Sequence, residues 1–272
     1  MTLQLPYRVF NNQPAASAAG DRKRAFELDA LRGLALLMMI LHHLIFDLRY
    51  LFGLDVFAFQ ETWWFENLLR PTFLNVFLLV SGICCTFSRS NTKRGFRLLG
   101  VSLAFTLVTT VFSRLSGQDF YILFNVLHLL AVGTLLYSGL TWLERRRERR
   151  LTGIDVLLSL LAAVLLWLAS LLPHWAANGS YWLLPLGLYP ENVVGMADYL
   201  PIIPWLGFFL IGALIGRQAY ADRRSAFPGA PDWLLQATRP LEFMGRNSLL
   251  IYALHQLVLL PVLAGLQFLG LF

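Results

Sequence analysis

Four histidines, His42, His43, His128 and His255, each lie inside a hydrophobic run long enough to cross a bilayer. A polar ring in hydrocarbon costs several kcal/mol unless it is paired or faces a cavity, so these positions carry information that the apolar residues around them do not. His43 and Asp47 are four residues apart. On a helix this spacing places a carboxylate beside an imidazole, the arrangement of a general base and the group that orients it. Asn125 lies about one turn before His128, Gln256 follows His255, and Asn75 adds a further amide. At 1.5 Å per residue the four rings sit about 12 to 18 Å along their runs, near mid-membrane. The fifth histidine, His174, falls in a loop.

The chemistry this set suggests is acid–base work in a buried chamber. His43 is the expected base, Asp47 its orienter, and His128 with Asn125 the group that meets a developing oxyanion or positions a substrate. His42, Asn75, His255 and Gln256 would line the same chamber. Two other uses of the residues stay open: each histidine can bridge neighbouring helices as packing glue, or the His and Asp groups can relay protons in a permease.

The elements that position these groups follow from composition. Of 272 residues 57% are hydrophobic and 14% charged, with a mean hydropathy of +0.60, which is too apolar for a chain whose surface faces water. Seven apolar runs stand out, at 31–51, 71–87, 96–115, 120–143, 154–172, 199–220 and 248–268. Their length predicts an all-α polytopic transmembrane bundle of about seven spans rather than strands. Residues 1–23 read as a disordered cytoplasmic tail and 24–272 as a single transmembrane domain.

Loops rich in Lys and Arg stay cytoplasmic. All but Arg49, Arg70 and Arg114 of the 22 Lys and Arg residues fall in the amino-terminal segment and in the second, fourth and sixth connections. That alternation predicts a cytoplasmic amino terminus and an extracytoplasmic carboxyl terminus, and it explains the net charge of +6 without nucleic acid. Two readings stay open for the cations at inner helix ends: Arg32 pairs with Glu27 and Asp29 or anchors its helix as the charge rule demands, or Arg32, Arg97, Arg217 and Arg246 form a cationic mouth that suits the phosphates of a coenzyme or of a lipid headgroup. The adjacent Cys84 and Cys85 are expected to pack as thiols, and no CxxC or His/Cys cluster points to a metal. The 173–198 loop carries Trp175, Tyr181, Trp182 and Tyr189, suited to an interfacial belt or to a lid.

Several stretches resemble the bacterial DUF1624 family: Glu-Leu-Asp-Ala-Leu-Arg-Gly at 27–33, Met39 to Asp47, Phe124 to Leu129, Asp198 to Gly207 and Gly245 to Gln256. That family is related to the catalytic membrane domain of heparan-alpha-glucosaminide N-acetyltransferase, and the similarity covers roughly residues 24–260. The resemblance implies a multi-pass acyltransferase of a bacterial inner membrane. It would move an acetyl or other acyl group from a cytoplasmic acyl-CoA, with Arg32, Arg97 and Arg246 at the coenzyme phosphates, to an extracytoplasmic amine or hydroxyl. Membrane lipids and a glycan or small-molecule acceptor are the implied partners, and a homodimer stays open. In one respect the chain departs from the family pattern: no histidine occurs between His43 and His128, where the lysosomal enzyme carries an essential one.

Overall fold

The computed structural model describes residues 25–147, 150–175, 179–190, 194–196 and 198–272. The expected tail, apart from its boundary with the first helix, lies outside them. Among the described residues the chain is helical, with no strand and one isolated bridge, Tyr121 to Met196. Helix α1 (Phe26–Phe46) ends in a π-helical turn, Asp47–Leu51. A second π turn, Phe65–Leu69, leads into α2 (Arg70–Phe87). Helices α3 (Asn91–Ser116), α4 (Val126–Leu140), the short α5 (Trp142–Arg147) and α6 (Thr152–Leu168) follow. A single turn, α7 (Leu172–Trp175), precedes α8 (Trp205–Gln218), α9 (Asp232–Arg246) and α10 (Ser248–Phe268).

Among the described residues five segments are long and apolar enough to cross a membrane: 26–51, 65–87, 91–116, 126–147 and 248–268. The remaining two expected runs appear as the shorter apolar helices α6 and α8. Residues 120–125, counted in the sequence as part of the fourth run, are irregular, and the helix starts at Val126. The sixth run likewise loses Tyr199 to Pro204 to a loop. The connection before the last run contains a helix that hydropathy misses. Helix α9 is amphipathic and polar on average, so it carries no span signal.

Small residues let the helices close on one another. A methyl group on Gly82 would stand 2.0 Å from the Phe209 carbonyl oxygen, one on Gly212 2.0 Å from that of Leu79 and one on Gly216 2.9 Å from that of Ile83, so α2 and α8 touch backbone to backbone, and the Leu79–Gly212 and Ile83–Gly216 contacts show that they run the same way. Gly33 and Gly245 do the same for α1 and α9, which run antiparallel: Gly33 meets Leu241 and Gly245 meets Asp29. Helix α4 is the most enclosed, with Leu129 and Ala131 fully buried against Phe209, Leu210 and Ala213.

At the arginine-rich end, Arg217 ties three elements together. Its Nη1 and Nη2 donate to the two Glu144 carboxylate oxygens at 2.8 and 2.7 Å, and its Nε donates to Asp155. Arg150 donates to the other Asp155 oxygen at 2.6 Å and to the Arg217 carbonyl at 2.6 Å. Each buried charge here has an opposite partner, the condition under which burial is tolerated.

Candidate active site

The chain delivers His43 from α1 and His255 from α10 to one point: their ring centroids are 5.0 Å apart and nearly perpendicular. Their protonation pattern follows from their partners. His43 Nδ1 lies 2.9 Å from the Met39 carbonyl oxygen, and His255 Nδ1 lies 2.6 Å from that of Tyr252. A carbonyl oxygen only accepts, so both Nδ1 atoms carry the hydrogen and both Nε2 atoms hold a lone pair. His255 Nε2 is buried and has no partner in the protein. Two imidazoles with Nδ1 committed to backbone carbonyls thus stand side by side, an arrangement that suits proton transfer to and from a molecule bound against them.

Asp47 is one turn beyond His43, at the start of the π turn and 4% exposed. The expected contact with His43 does not form. Asp47 Oδ1 instead accepts from Gln256 Nε2 at 3.4 Å, leaving Asp47 Oδ2 and Gln256 Oε1 buried without a partner. The Met39 carbonyl orients His43, since a helical imidazole reaches its own i−4 carbonyl more easily than a side chain one turn ahead. Asn75 on α2 also keeps a buried, unpartnered Oδ1.

Beside this pair stands a network that sequence reading did not single out as a site. Tyr252, one turn before His255, donates a short hydrogen bond from its hydroxyl to Asp198 Oδ2 and accepts from Asn125 Nδ2 at 3.2 Å. Asp198 is held in the left-handed region at φ 53°, which Asp tolerates better than most residues, and its side chain is solvent-accessible and lies in the electrostatic range of His43 and Arg70. Two loops set its place: Met196 bridges to Tyr121, and Leu200 N donates to the Phe124 carbonyl at 3.0 Å.

His128 does not join the pair. It closes the first turn of α4, where Nδ1 accepts from the Asn125 backbone N–H at 3.2 Å while Asn125 Oδ1 accepts from the backbone of Leu127 and His128. This is a capping box with histidine in the place of Glu or Gln. Its Nε2 meets Thr106 Oγ1 at 3.3 Å, and that hydroxyl donates onward to the Ile122 carbonyl at 2.8 Å. His128 Nδ1 also lies 2.9 Å from Asn125 Oδ1, so both ring nitrogens are committed to structure, which removes the imidazole as an oxyanion donor in this state. His42 is also committed: Gln60 Nε2 donates to its Nδ1 at 3.1 Å and to its carbonyl at 3.2 Å. Gln60 lies in the loop after α1, which Arg49 holds through Glu61 at 2.9 Å and Asp55 at 3.1 Å.

The three arginines expected at coenzyme phosphates separate as well. Arg97 is exposed on α3; Arg246 pairs with Glu242 at 2.9 Å and reaches Asp29 at 4.0 Å. Arg32 alone is buried, with one weak bond from Nη2 to the Val80 carbonyl at 3.4 Å and an Nε that has no partner.

The family model described as heparan-alpha-glucosaminide N-acetyltransferase, catalytic, matches residues 24–257. The chain belongs to this family. No curated protein and no solved structure matches the chain. Membership of the heparan-alpha-glucosaminide N-acetyltransferase catalytic family makes the chain one of a group of membrane acyltransferases that in general take acetyl-CoA as donor. The match spans His43, Asp198 and His255. Among the described residues no group of three or more His, Cys, Asp or Glu is placed to hold a metal ion.

Proposed function

We propose that this chain is an integral membrane acyltransferase of a bacterial inner membrane that moves an acetyl or related acyl group from a cytoplasmic acyl-CoA to an extracytoplasmic amine or hydroxyl of a glycan or similar acceptor. The observation that supports it best is the pair of bare Nε2 atoms on His43 and His255 beside the Asp198 carboxylate. The arginine-rich end takes the cytoplasmic side by the charge rule for short loops.

In this mechanism the acceptor N–H or O–H gives its proton to His43 Nε2 as its heteroatom attacks the thioester carbonyl. The tetrahedral intermediate collapses with cleavage of the carbon–sulfur bond. The departing thiolate takes that proton back from His43 Nε2, giving acylated acceptor and free thiol and restoring the neutral imidazole. Fixing Nδ1–H on a backbone carbonyl keeps His43 in the tautomer that can accept, the role a carboxylate plays in other acyl-transfer sites. Asp198 offers a carboxylate oxygen to an acceptor amine or hydroxyl.

The test is thiol release from acetyl-CoA by the purified protein in the presence of amine acceptors. Acceptor-dependent release that disappears in His43→Ala supports the proposal; no release with any amine or hydroxyl acceptor contradicts it. A second reading, a proton-coupled permease, draws on the unpartnered Asp47, Gln256 and Asn75 oxygens. Proton-driven solute flux in proteoliposomes without thiol release would favour it.

A further inference from the structure

Arg217 is neutralised by two carboxylates, but a second pair of arginines at the same end of the bundle has none among the described residues. Arg32, on α1, is 9% exposed, and its Nε is buried without a partner. Arg94 lies half-buried in the first turn of α3, within electrostatic range of Arg32, Cys84 and Cys85. Neither arginine makes an ion pair among the described residues, and the nearby thiols supply no counter-charge. The position of Arg94 is not left to its flexible stem alone: Asn91, in the same turn, donates to the Cys85 carbonyl at 3.0 Å and accepts from Cys85 Sγ at 3.2 Å, hooking the start of α3 to the end of α2.

The helix that carries Arg94 has the wrong charges for its own dipole. The first turn of α3 contains Lys93 and Arg94 and no acidic residue, with Arg97 one turn on. Cations at a helix amino terminus face the positive end of the macrodipole, and anions belong there. Two guanidinium groups within electrostatic range of each other, an unpaired buried Nε and an unsuitable helix end all lose their cost when one multiply charged oxyanion sits between them.

We infer that Arg32 and Arg94 form a binding site for a phosphate group between α1, α2 and the amino terminus of α3. Planar guanidinium forks match phosphate oxygens, and neither arginine is needed to neutralise a carboxylate. The phosphate belongs either to the coenzyme part of the donor, which rests on the reading above, or to an anionic lipid headgroup, which does not.

Binding of three probes to the detergent-solubilised full chain separates these sources: inorganic pyrophosphate, coenzyme A and dihexanoyl phosphatidylglycerol. At least one probe binds, its affinity falls with added salt, and Arg94→Gln weakens it about tenfold or more, the loss expected for a charge-assisted bond. Arg147→Gln, an exposed charge elsewhere at the same end, leaves affinity within about twofold. Preference for coenzyme A assigns the site to the donor, and preference for phosphatidylglycerol assigns it to lipid even if acyl transfer fails. Should Arg94→Gln not fold, Arg94→Lys keeps the charge, loses the fork and still weakens binding. Absence of binding by all three probes, or equal binding by the wild type and a folded Arg94 variant, overturns the inference.

Discussion

His42 and His43 are neighbours in the chain, yet their rings are used in opposite ways. Gln60 donates to His42 Nδ1, which leaves that ring with its hydrogen on Nε2, whereas the Met39 carbonyl draws the hydrogen of His43 onto Nδ1. The same division repeats between α4 and α10. His128 spends its Nδ1 lone pair on a helix cap, while His255 turns its Nδ1–H to a carbonyl and keeps Nε2 bare. Depth in the bundle is therefore a poor guide to role. The local partner of one ring nitrogen decides which histidine can take a proton from a substrate.

The comparison can be broken most sharply at His43. Acyl transfer falls about 10²- to 10⁴-fold in His43→Ala, the usual contribution of a positioned acid–base group, while the melting temperature stays near that of the wild type; a rate within a few-fold of wild type would remove His43 from the chemistry. His255→Ala lowers turnover less than His43→Ala if the second ring only shares the proton, and its steady-state rate measured beside that of His43→Ala ranks the two. His128→Ala behaves in the reverse manner. It loses about 1 to 2 kcal/mol of stability with its cap, read as a lowered unfolding midpoint, and keeps its turnover per folded molecule.

Which parts of this division were visible in the sequence is itself informative. The rise per residue along α1 and α10 was enough to bring His43 and His255 to one level, because both helices continue through the site without interruption. The same reasoning failed for His128, because α4 starts only at Val126 and the ring bends back to its own amino terminus. The Asn-x-x-His spacing at 125 and 128 was the available signal. Asp198 opens one of the recognisable stretches, but nothing in the sequence marks it as a site residue, since its place depends on two loops that are far apart in sequence. Helix α9 was hidden by its polarity, although it packs along α1 as closely as α2 packs along α8.

Smaller effects sharpen the contrast at His42. His42→Phe keeps the packing against Phe65 and Phe73 and loses only the Gln60 bond, so stability drops by about 1 kcal/mol or less and turnover persists; a loss equal to that of His43→Ala would contradict the division. The loop holding Gln60 also responds to acid. The Arg49 guanidinium holds the Glu61 carboxyl below the usual carboxylate range. Its contribution is present above the ordinary Glu pKa and lost as pH falls through the depressed value. Protection of the amides of residues 55–62, measured against their intrinsic exchange rates, therefore falls under acid conditions, and Glu61→Gln lowers it at neutral pH.

The most direct test is the tautomer of each ring. Nitrogen NMR of the protein labelled with ¹⁵N-histidine, with signals assigned by replacing one histidine at a time, reports which nitrogen carries the hydrogen. The expected result is a hydrogen-free Nε2 in His43 and His255 and a hydrogen-free Nδ1 in His42. A hydrogen on Nε2 of neutral His43 would contradict it.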